Sequence, residues 1–211
     1  MNADKLILLL KELYPPGKFY TGDPFRVLIT TVLSQRTRDE MTEKAADKLF
    51  SRYGTPAELS QADVRDIEEL IRDAGFYRMK APRIKEIARI IDNELNGRVP
   101  DTLDGLLLFP GVGRKTANCV LVYGFGRDAI AVDTHVHRIS NRLGFVRTDT
   151  PEETELALLK IIPKEHWRHI NELLVRFGKD ICRPVAPKCG ECTIYDMCPT
   201  GKDHTESIDE S

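Results

Sequence analysis

The spacing of apolar residues predicts helices along almost the whole chain. From Ile84 to Leu95 the apolar residues recur every three or four positions, which puts them on one helix face. Gly97 follows, and glycine is typical of a helix end. Residues 63–74 and 164–177 show the same spacing, and each is followed directly by a glycine. No stretch alternates as a strand does, so we expect an all-α protein of about ten short helices.

Polar residues predict where some of these helices begin. Thr37 and Glu40 have the spacing of a capping box, which predicts a helix from there to about Tyr53. Thr150 and Glu153 repeat this spacing, and a proline stands between them at the first helical position. Both patterns predict helices that start with their first N–H groups satisfied by side chains.

Length and composition limit the class of protein. The chain has 211 residues, of which 41% are hydrophobic, enough for one domain or two small ones. No apolar run reaches the roughly 20 residues needed to span a bilayer, and the N-terminal LILLLKEL is interrupted by charge. We therefore expect no membrane association and a cytoplasmic, prokaryotic protein.

The charge is unevenly distributed although the formal total is only −2. The segment from 202 to 211 carries four acidic residues against one lysine, and we expect this tail to be disordered. Residues 78–89 and 110–147 are rich in arginine and lysine. Each run alone is typical of a solvated helix face, but the two together favour an anionic partner.

Four of the five cysteines lie close together near the C-terminus, in the pattern C-x6-C-x2-C-x5-C: Cys182, Cys189, Cys192 and Cys198. The prolines between them leave little apolar material to order this segment, and disulfides are not expected in a cytoplasmic chain. Four thiolates suit a structural zinc ion or an iron–sulfur cluster, and the spacing leaves both open. The fifth, Cys119, stands among apolar residues and is expected to be inert packing.

The segment LFPGVGRKTANC predicts a tight hairpin between two helices. Gly111 and Gly113 allow backbone angles closed to other residues, and their lack of side chains lets a phosphate approach the second helix. An ordinary glycine turn is the alternative. Arg114 and Lys115 put two cations at the positive end of that helix, which is unfavourable unless an anion binds there or the lysine acts uncharged. Farther along, Asp133 precedes a helical pattern and suits an N-cap.

Three of these motifs, in this order, resemble one known family. LFPGVGRKTA followed by AVDTHVHRISNRLG is similar to the helix-hairpin-helix and Gly/Pro-Asp signature of the endonuclease III family of DNA glycosylases. The cysteine spacing matches the [4Fe–4S] loop of that family, and TTVLSQRTRD and AGFYRMKA stand where the family has comparable segments. The resemblance covers all of the chain except the acidic tail.

The resemblance implies two helical lobes with an active site in the cleft between them. Residues 18–128 would form a six-helix barrel that contains the helix-hairpin-helix, and residues 1–17 with 129–201 would form the lobe that carries the cluster. The tail, 202–211, lies outside both lobes.

The resemblance also implies the roles of individual residues. Lys115 aligns with the catalytic lysine of the family and Asp133 with its catalytic aspartate. The four clustered cysteines would hold a [4Fe–4S] cluster. The implied DNA contacts are Arg36, Phe76, Gly111, Val112, Gly113, His135, Arg183 and Lys188.

The implied activity is that of a bifunctional DNA glycosylase and abasic-site lyase, acting as a nucleoid-associated monomer on duplex DNA. Adenine-mismatch relatives carry serine at the position of Lys115 and thymine-mismatch relatives carry tyrosine, so the lysine favours oxidised pyrimidines as substrates. The family commonly has glutamine in place of Arg36 and leucine in place of Phe76, and core packing is an equal alternative for Phe76. Two alternative functions remain. One is a mismatch-directed uracil or thymine glycosylase, and the other is a non-catalytic DNA-binding module with a redox cluster.

Overall fold

The structure is a computed structural model that describes residues 3–15 and 21–201. These residues form helices and no strands, which confirms the predicted all-α class. The α-helices of this part of the chain are α1 (Ala3–Leu13), α2 (Pro24–Ser34), α3 (Asp39–Arg52), α4 (Pro56–Gln61), α5 (Val64–Leu70), α6 (Tyr77–Glu94), α7 (Leu103–Leu107), α8 (Arg114–Cys119), α9 (Thr134–Arg142), α10 (Pro151–Ile161) and α11 (Trp167–Asp180). A π-helical turn, Val120–Gly124, continues α8, and short 3₁₀ turns lie at Lys164–His166, Cys189–Glu191 and Tyr195–Met197.

The helices divide into two compact units. Tyr20–Arg127, which we call the hairpin unit, contains α2 to α8, and Met1–Phe19 with Asp128–Ser211, the cysteine unit, contains α1 and α9 to α11. The predicted lobe boundary at residue 18 and the predicted disordered tail, 202–211, lie outside the described residues. Within the described ranges, no helix is both long and apolar enough to cross a membrane.

The core of the hairpin unit is built on α2 and α6. The apolar face predicted for α6 is buried, since Ile84, Ile87 and Ile91 are each fully inaccessible, and Leu28 and Leu33 on α2 are equally buried. Burial of one such side chain contributes about 1.5–3 kcal/mol. These two helices are therefore a rigid base for the turns at their ends.

The core of the cysteine unit joins the N-terminal helix to the C-terminal helices. Leu6 and Leu10 on α1 belong to one apolar cluster with Ile139 on α9 and with Leu173 and Phe177 on α11. This packing explains how an N-terminal segment becomes part of a unit formed mostly by the C-terminal third of the chain. Residues 182–198, which we call the cysteine segment, lie at the edge of the same cluster.

One of the two predicted capping boxes forms. Thr150 accepts from the backbone N–H of Glu153, and the Glu153 side chain returns to the N-cap backbone, as expected. The box predicted at Thr37 is wrong, because the N-cap of α3 is Arg38, which makes no side-chain cap. The Thr37 hydroxyl instead accepts from the backbone N–H of Gly75 at 3.1 Å.

Of two helix ends predicted at glycines, one is confirmed and one is wrong. α6 stops at Glu94, and Gly97 follows with a left-handed φ of 75°, as expected of a terminator. Gly178 does not end a helix, because α11 continues to Asp180. A Cβ at Gly178 would lie 2.8 Å from side-chain atoms of both His135 and Ile139, so this glycine allows α9 and α11 to approach closely.

Candidate functional site

The glycine hairpin connects α7 to α8 as predicted, but its two glycines differ. Gly111 has a φ of 73°, and its carbonyl accepts from Gln35 Nε2 at 3.0 Å. The side chain of Arg83 fills the space where a Cβ of Gly111 would stand. Gly113 has an ordinary extended backbone, with a φ of −96°. The prediction that Gly113 needs a backbone angle closed to other residues is therefore wrong. In the part of the chain that the structure describes, no atom lies within 4 Å of its Cβ position, which leaves room for an approaching group.

Val112 is turned into the protein between these glycines. Its side chain is buried, and its backbone N–H donates to the carbonyl of Phe109 at 3.2 Å. Its side chain therefore packs inside the protein, and its N–H is hydrogen-bonded within the hairpin. Leu108, at the start of the turn, is 82% exposed.

Lys115 is the second residue of α8, directly after the hairpin. It is half-buried, as is Arg114 before it, whereas Thr116 and Ala117 are buried in the unit. Gly113 is the N-cap of α8 and offers no side-chain cap. The helix is thus anchored along its interior while its first two residues, both cations, remain accessible.

Asp133 is the N-cap of α9, as the sequence predicts. Its Oδ1 accepts from the backbone N–H groups of His135 and Val136, each at 2.9 Å. Its Oδ2 lies 3.5 Å from His135 Nδ1. The two cap bonds fix the carboxylate, and its side chain keeps 22% of its surface exposed. Asp133 can therefore hold an oriented negative charge at the surface of the cysteine unit.

Arg36 and Phe76 lie on two adjacent turns of the hairpin unit. Both have left-handed backbones, with φ of 52° and 58°, which is unusual and costly for residues with side chains. The Arg36 guanidinium carbon lies 5.6 Å from the centroid of the Phe76 ring. Phe76 is 56% exposed, so it is not a core residue. We call these two residues the Arg36–Phe76 pair.

Lys80 connects to the turns of Arg36 and Phe76, although in the sequence it stands in one of the basic stretches. Its side chain is buried, and its Nζ donates to the carbonyls of Leu33 at 2.7 Å and Gln35 at 2.6 Å, and to Thr37 Oγ1 at 2.9 Å. Burial lowers the pKa of Lys80 to about 8, and the nearby charge of Arg83 adds to this. No local pattern distinguishes it from the exposed cations around it.

The basic stretches are less available than their sequences suggest. Arg127 pairs with Asp101, and Arg89 pairs with both Glu86 and Glu94. Arg138 and Arg142 hold backbone carbonyls of the cysteine segment. These four arginines are therefore engaged within the protein, whereas Arg78 and Arg147, in the same stretches, are exposed.

The four clustered cysteines line one cavity of the cysteine unit, together with apolar side chains that include Leu143, Phe177 and Ile181. Arg142, the last residue of α9, fixes both ends of the segment. Its NH1 donates to Cys182 Sγ at 3.6 Å and to the Arg183 carbonyl at 2.6 Å, and its own carbonyl accepts from Thr200 Oγ1 at 2.9 Å. The cysteine segment is thus held in one shape by α9.

The chemistry of this cavity fits a group that contains metal cations. Burial raises the pKa of the Cys192 and Cys198 thiols, and the neighbouring cysteines add to the shift. Thiolates without a metal are therefore disfavoured here. Among the described residues, no group of three or more His, Cys, Asp or Glu side chains is placed to hold one metal ion. Four thiols around one cavity are a donor set that suits either a structural zinc ion or an iron–sulfur cluster.

The two remaining predicted contact residues lie in the same segment. Arg183 is exposed, while Lys188 is half-buried and its Nζ lies 3.3 Å from Glu191 Oε2. Arg183 is thus the more accessible of the two cations. Cys119, in the hairpin unit, is buried as expected.

A family model that describes HhH-GPD superfamily base excision DNA repair proteins matches residues 29–164, which include the glycine hairpin, Lys115 and Asp133. The chain belongs to this family. Endonuclease III of Thermotoga maritima is 60% identical over 183 residues, covering 87% of this chain and 86% of that protein. The resemblance to the endonuclease III family is therefore confirmed.

Solved structures of related glycosylases have the same fold as this chain. A trapped covalent intermediate of endonuclease III with DNA, an estranged-adenine complex, has a TM-score of 0.87 and 38% identity, and covers 94% of this chain and 95% of that one. A thermostable thymine-DNA glycosylase has a TM-score of 0.82 and 29% identity, with 94% of each chain covered. These two structures correspond to the favoured function and to its mismatch-directed alternative.

Proposed function

We propose that this protein is a bifunctional DNA glycosylase and abasic-site lyase that removes oxidised or damaged pyrimidines from duplex DNA. The observation that carries the proposal is the position of Lys115, an accessible amine at the start of a helix that follows a glycine hairpin with open space at Gly113. A relative with 38% identity is known as a covalent intermediate with DNA, and such a bond requires a nucleophilic side chain, which an accessible lysine amine can supply.

Lys115 acts as the nucleophile. Its unprotonated amine attacks C1′ of the damaged nucleotide, and the bond from C1′ to the base breaks as the base leaves with the electron pair and takes up a proton. The C1′–O4′ bond then breaks, the ring oxygen takes up a proton, and C1′ forms a protonated imine with Lys115, which makes the C2′ proton acidic. Loss of that proton and departure of the 3′ phosphate then cleave the strand by β-elimination.

Asp133 acts as the electrostatic partner of this reaction. Departure of the base leaves positive charge on the sugar, and an anion held nearby stabilises it. The cap bonds from His135 and Val136 orient the Asp133 carboxylate before the substrate binds. No reorganisation of this group is then needed during the reaction.

The remaining residues bind and distort the DNA. An enzyme that reacts at C1′ must move the nucleotide out of the stack, and the gap must be filled. The exposed ring of Phe76 suits a wedge between bases, and Arg36 suits a hydrogen bond to the unpaired base. The full set of proposed DNA contacts is Arg36, Phe76, Gly111, Val112, Gly113, His135, Arg183 and Lys188. At Val112, whose side chain is buried, the contact would be made by the main chain of the hairpin.

Cys182, Cys189, Cys192 and Cys198 would hold a [4Fe–4S] cluster, supported by their shared cavity and by the family. When bound, the cluster supplies a covalent link among four thiolates in a segment with few apolar side chains. Arg142 would donate to one of the ligand sulfurs, since it already reaches Cys182 Sγ.

The proposal is tested with the wild-type protein and duplexes that each contain one defined lesion. An oxidised pyrimidine should be excised and the strand cut on its 3′ side, and borohydride should trap protein on DNA. Excision of uracil or thymine from mismatches without trapping would favour the mismatch-directed alternative, which the likeness to a thymine-DNA glycosylase supports. Binding without excision of any lesion would favour a non-catalytic module.

A further inference from the structure

Lys80 is a buried cation whose position in the hairpin unit suggests a task beyond packing. Only 3% of its surface is exposed, and among the described residues its Nζ bonds two carbonyls and a hydroxyl but no carboxylate. A buried charge is costly unless its hydrogen bonds are complete. Three oxygen acceptors between 2.6 and 2.9 Å satisfy all three N–H groups of the ammonium.

These acceptors all belong to one short segment. Leu33 lies in the last turn of α2, Gln35 is its C-cap, and Thr37 follows. Carbonyls at a helix C-terminus lack intrahelical partners and favour a cation. Lys80, on α6, therefore acts as a C-terminal cap for α2 and defines the path of the chain through Arg36.

The Lys80 side chain is connected to the turn of Phe76 through Thr37. Lys80 also lies in the first turn of α6, whose N-cap is Phe76, so the position of the lysine is fixed relative to that turn. Thr37 Oγ1, which accepts from Lys80, also accepts from the Gly75 backbone N–H. A Cβ at Gly75 would lie 2.6 Å from the Arg36 carbonyl, so the two turns meet with no space between them.

We propose that Lys80 is a positioning residue that holds the two turns together, so that the Arg36–Phe76 pair meets duplex DNA in one fixed arrangement. The strained backbones of both residues are consistent with this, because such conformations persist only where the surroundings impose them. Without Lys80, each turn can relax toward ordinary backbone angles and the pair separates. The inference rests on the proposed function, since it assigns the pair to DNA.

The test uses a duplex with a stable abasic analogue opposite 2-aminopurine, a base whose fluorescence rises when it is unstacked. The analogue cannot react with an amine, so the signal reports insertion of the pair and not catalysis. The wild-type protein should raise the fluorescence on binding. Lys80→Met should still bind the duplex but lose most of this rise, and Thr37→Val, which removes one acceptor, should lose part of it.

Ser60→Ala is the matched control, because Ser60 is also buried in the hairpin unit and bonds Ala57 and Asp92, which lie outside the two turns. Its fluorescence response should equal that of the wild type even if its thermal stability falls. If Lys80→Met does not fold, Thr37→Val and the control carry the comparison.

A double-mutant cycle separates positioning from general stability. Lys80→Met should lower kcat/KM on a lesion duplex by about tenfold, as expected for residues of one network, but cause no further loss when Arg36 and Phe76 are both alanine. Equal fluorescence responses in Lys80→Met and wild type, or fully additive losses in the cycle, would overturn the inference while leaving the proposed function intact. A wild-type protein that does not bind the duplex would overturn both.

Discussion

The guanidinium of Arg36 lies over the ring of Phe76, 5.6 Å from its centroid, and both residues have left-handed backbones. Each lies on its own turn. The Lys80 side chain bonds directly to the turn of Arg36 and is linked through Thr37 Oγ1 to the turn of Phe76. An exposed aromatic ring and a cation, held in strained conformations by buried hydrogen bonds, are typical of a functional surface and not of packing.

Phe76→Ala should separate these two roles. Because the ring is mostly exposed, the free energy of unfolding should change by no more than about 0.5 kcal/mol. Excision from duplex DNA should fall about tenfold, since one aromatic contact to a base contributes roughly 1–3 kcal/mol. Phe76→Leu, which keeps an apolar wedge, should retain most of the activity. Unchanged excision in Phe76→Ala, together with a core-like loss of several kcal/mol, would contradict the role in DNA distortion.

The depressed pKa of Lys80 predicts a pH dependence of stability. Its pKa is about 8 in the folded protein and about 10.4 in an unfolded chain. Below pH 8 both states are protonated, and the cost of burying the charge is constant. Between these values the unfolded state binds more protons, so the free energy of unfolding should rise with pH, by at most about 1.4 kcal/mol per unit.

Chemical denaturation at a series of pH values from 7 to 10 measures this effect. The difference in unfolding free energy between wild type and Lys80→Met should be constant up to about pH 8 and should then increase in favour of the wild type up to pH 10. Parallel curves for the two proteins would show that Lys80 keeps an ordinary pKa in the folded state.

Asp133→Asn should separate the chemical role of Asp133 from its structural one. Asparagine can still accept from the N–H groups of His135 and Val136, so the cap of α9 should be retained. DNA binding should be at least as tight as in the wild type, while cleavage should slow by about 10²–10³, as is typical when one stabilising charge is removed. Asp133→Ala should slow cleavage equally but also lose about 1 kcal/mol of stability with the cap. A wild-type rate in Asp133→Asn would exclude the carboxylate from the chemistry.

The cysteine cavity predicts an iron–sulfur protein. Metal analysis of anaerobically prepared protein should return about four irons per chain and a visible absorption band. Cys192→Ser should lose both and increase proteolysis of the segment from Cys182 to Cys198. Cys119→Ser, a buried cysteine of the hairpin unit, should keep its iron. Stoichiometric zinc without iron in the wild type would contradict the cluster.

The sequence predicts well what depends on neighbouring residues. The apolar face of α6, the capping box at Thr150 and the Asp133 cap all involve residues within a few positions of one another. A periodic pattern or a cap is stabilised locally, and tertiary packing did not alter these three. The glycine hairpin was predicted for the same reason.

The errors concern residues whose partners are distant in the chain. The Thr37 hydroxyl bonds Gly75 and Lys80 and not its own helix, and Gly178 admits a neighbouring helix where a terminator was predicted. Lys80 looks like a surface cation because its acceptors are the carbonyls of another helix end. Backbone acceptors leave no signal in the sequence, so a buried lysine of this kind is found only in the structure.

The central assignment is Lys115 as the nucleophile, and borohydride trapping on abasic duplex DNA tests it most directly. Wild-type protein should form a covalent adduct with the DNA. Lys115→Gln should bind the same duplex with little change, because the glycine hairpin and the Arg36–Phe76 pair are untouched, yet give no adduct and no strand cleavage. Trapping and turnover at wild-type levels in Lys115→Gln would mean that another amine attacks C1′, and would contradict the proposed mechanism.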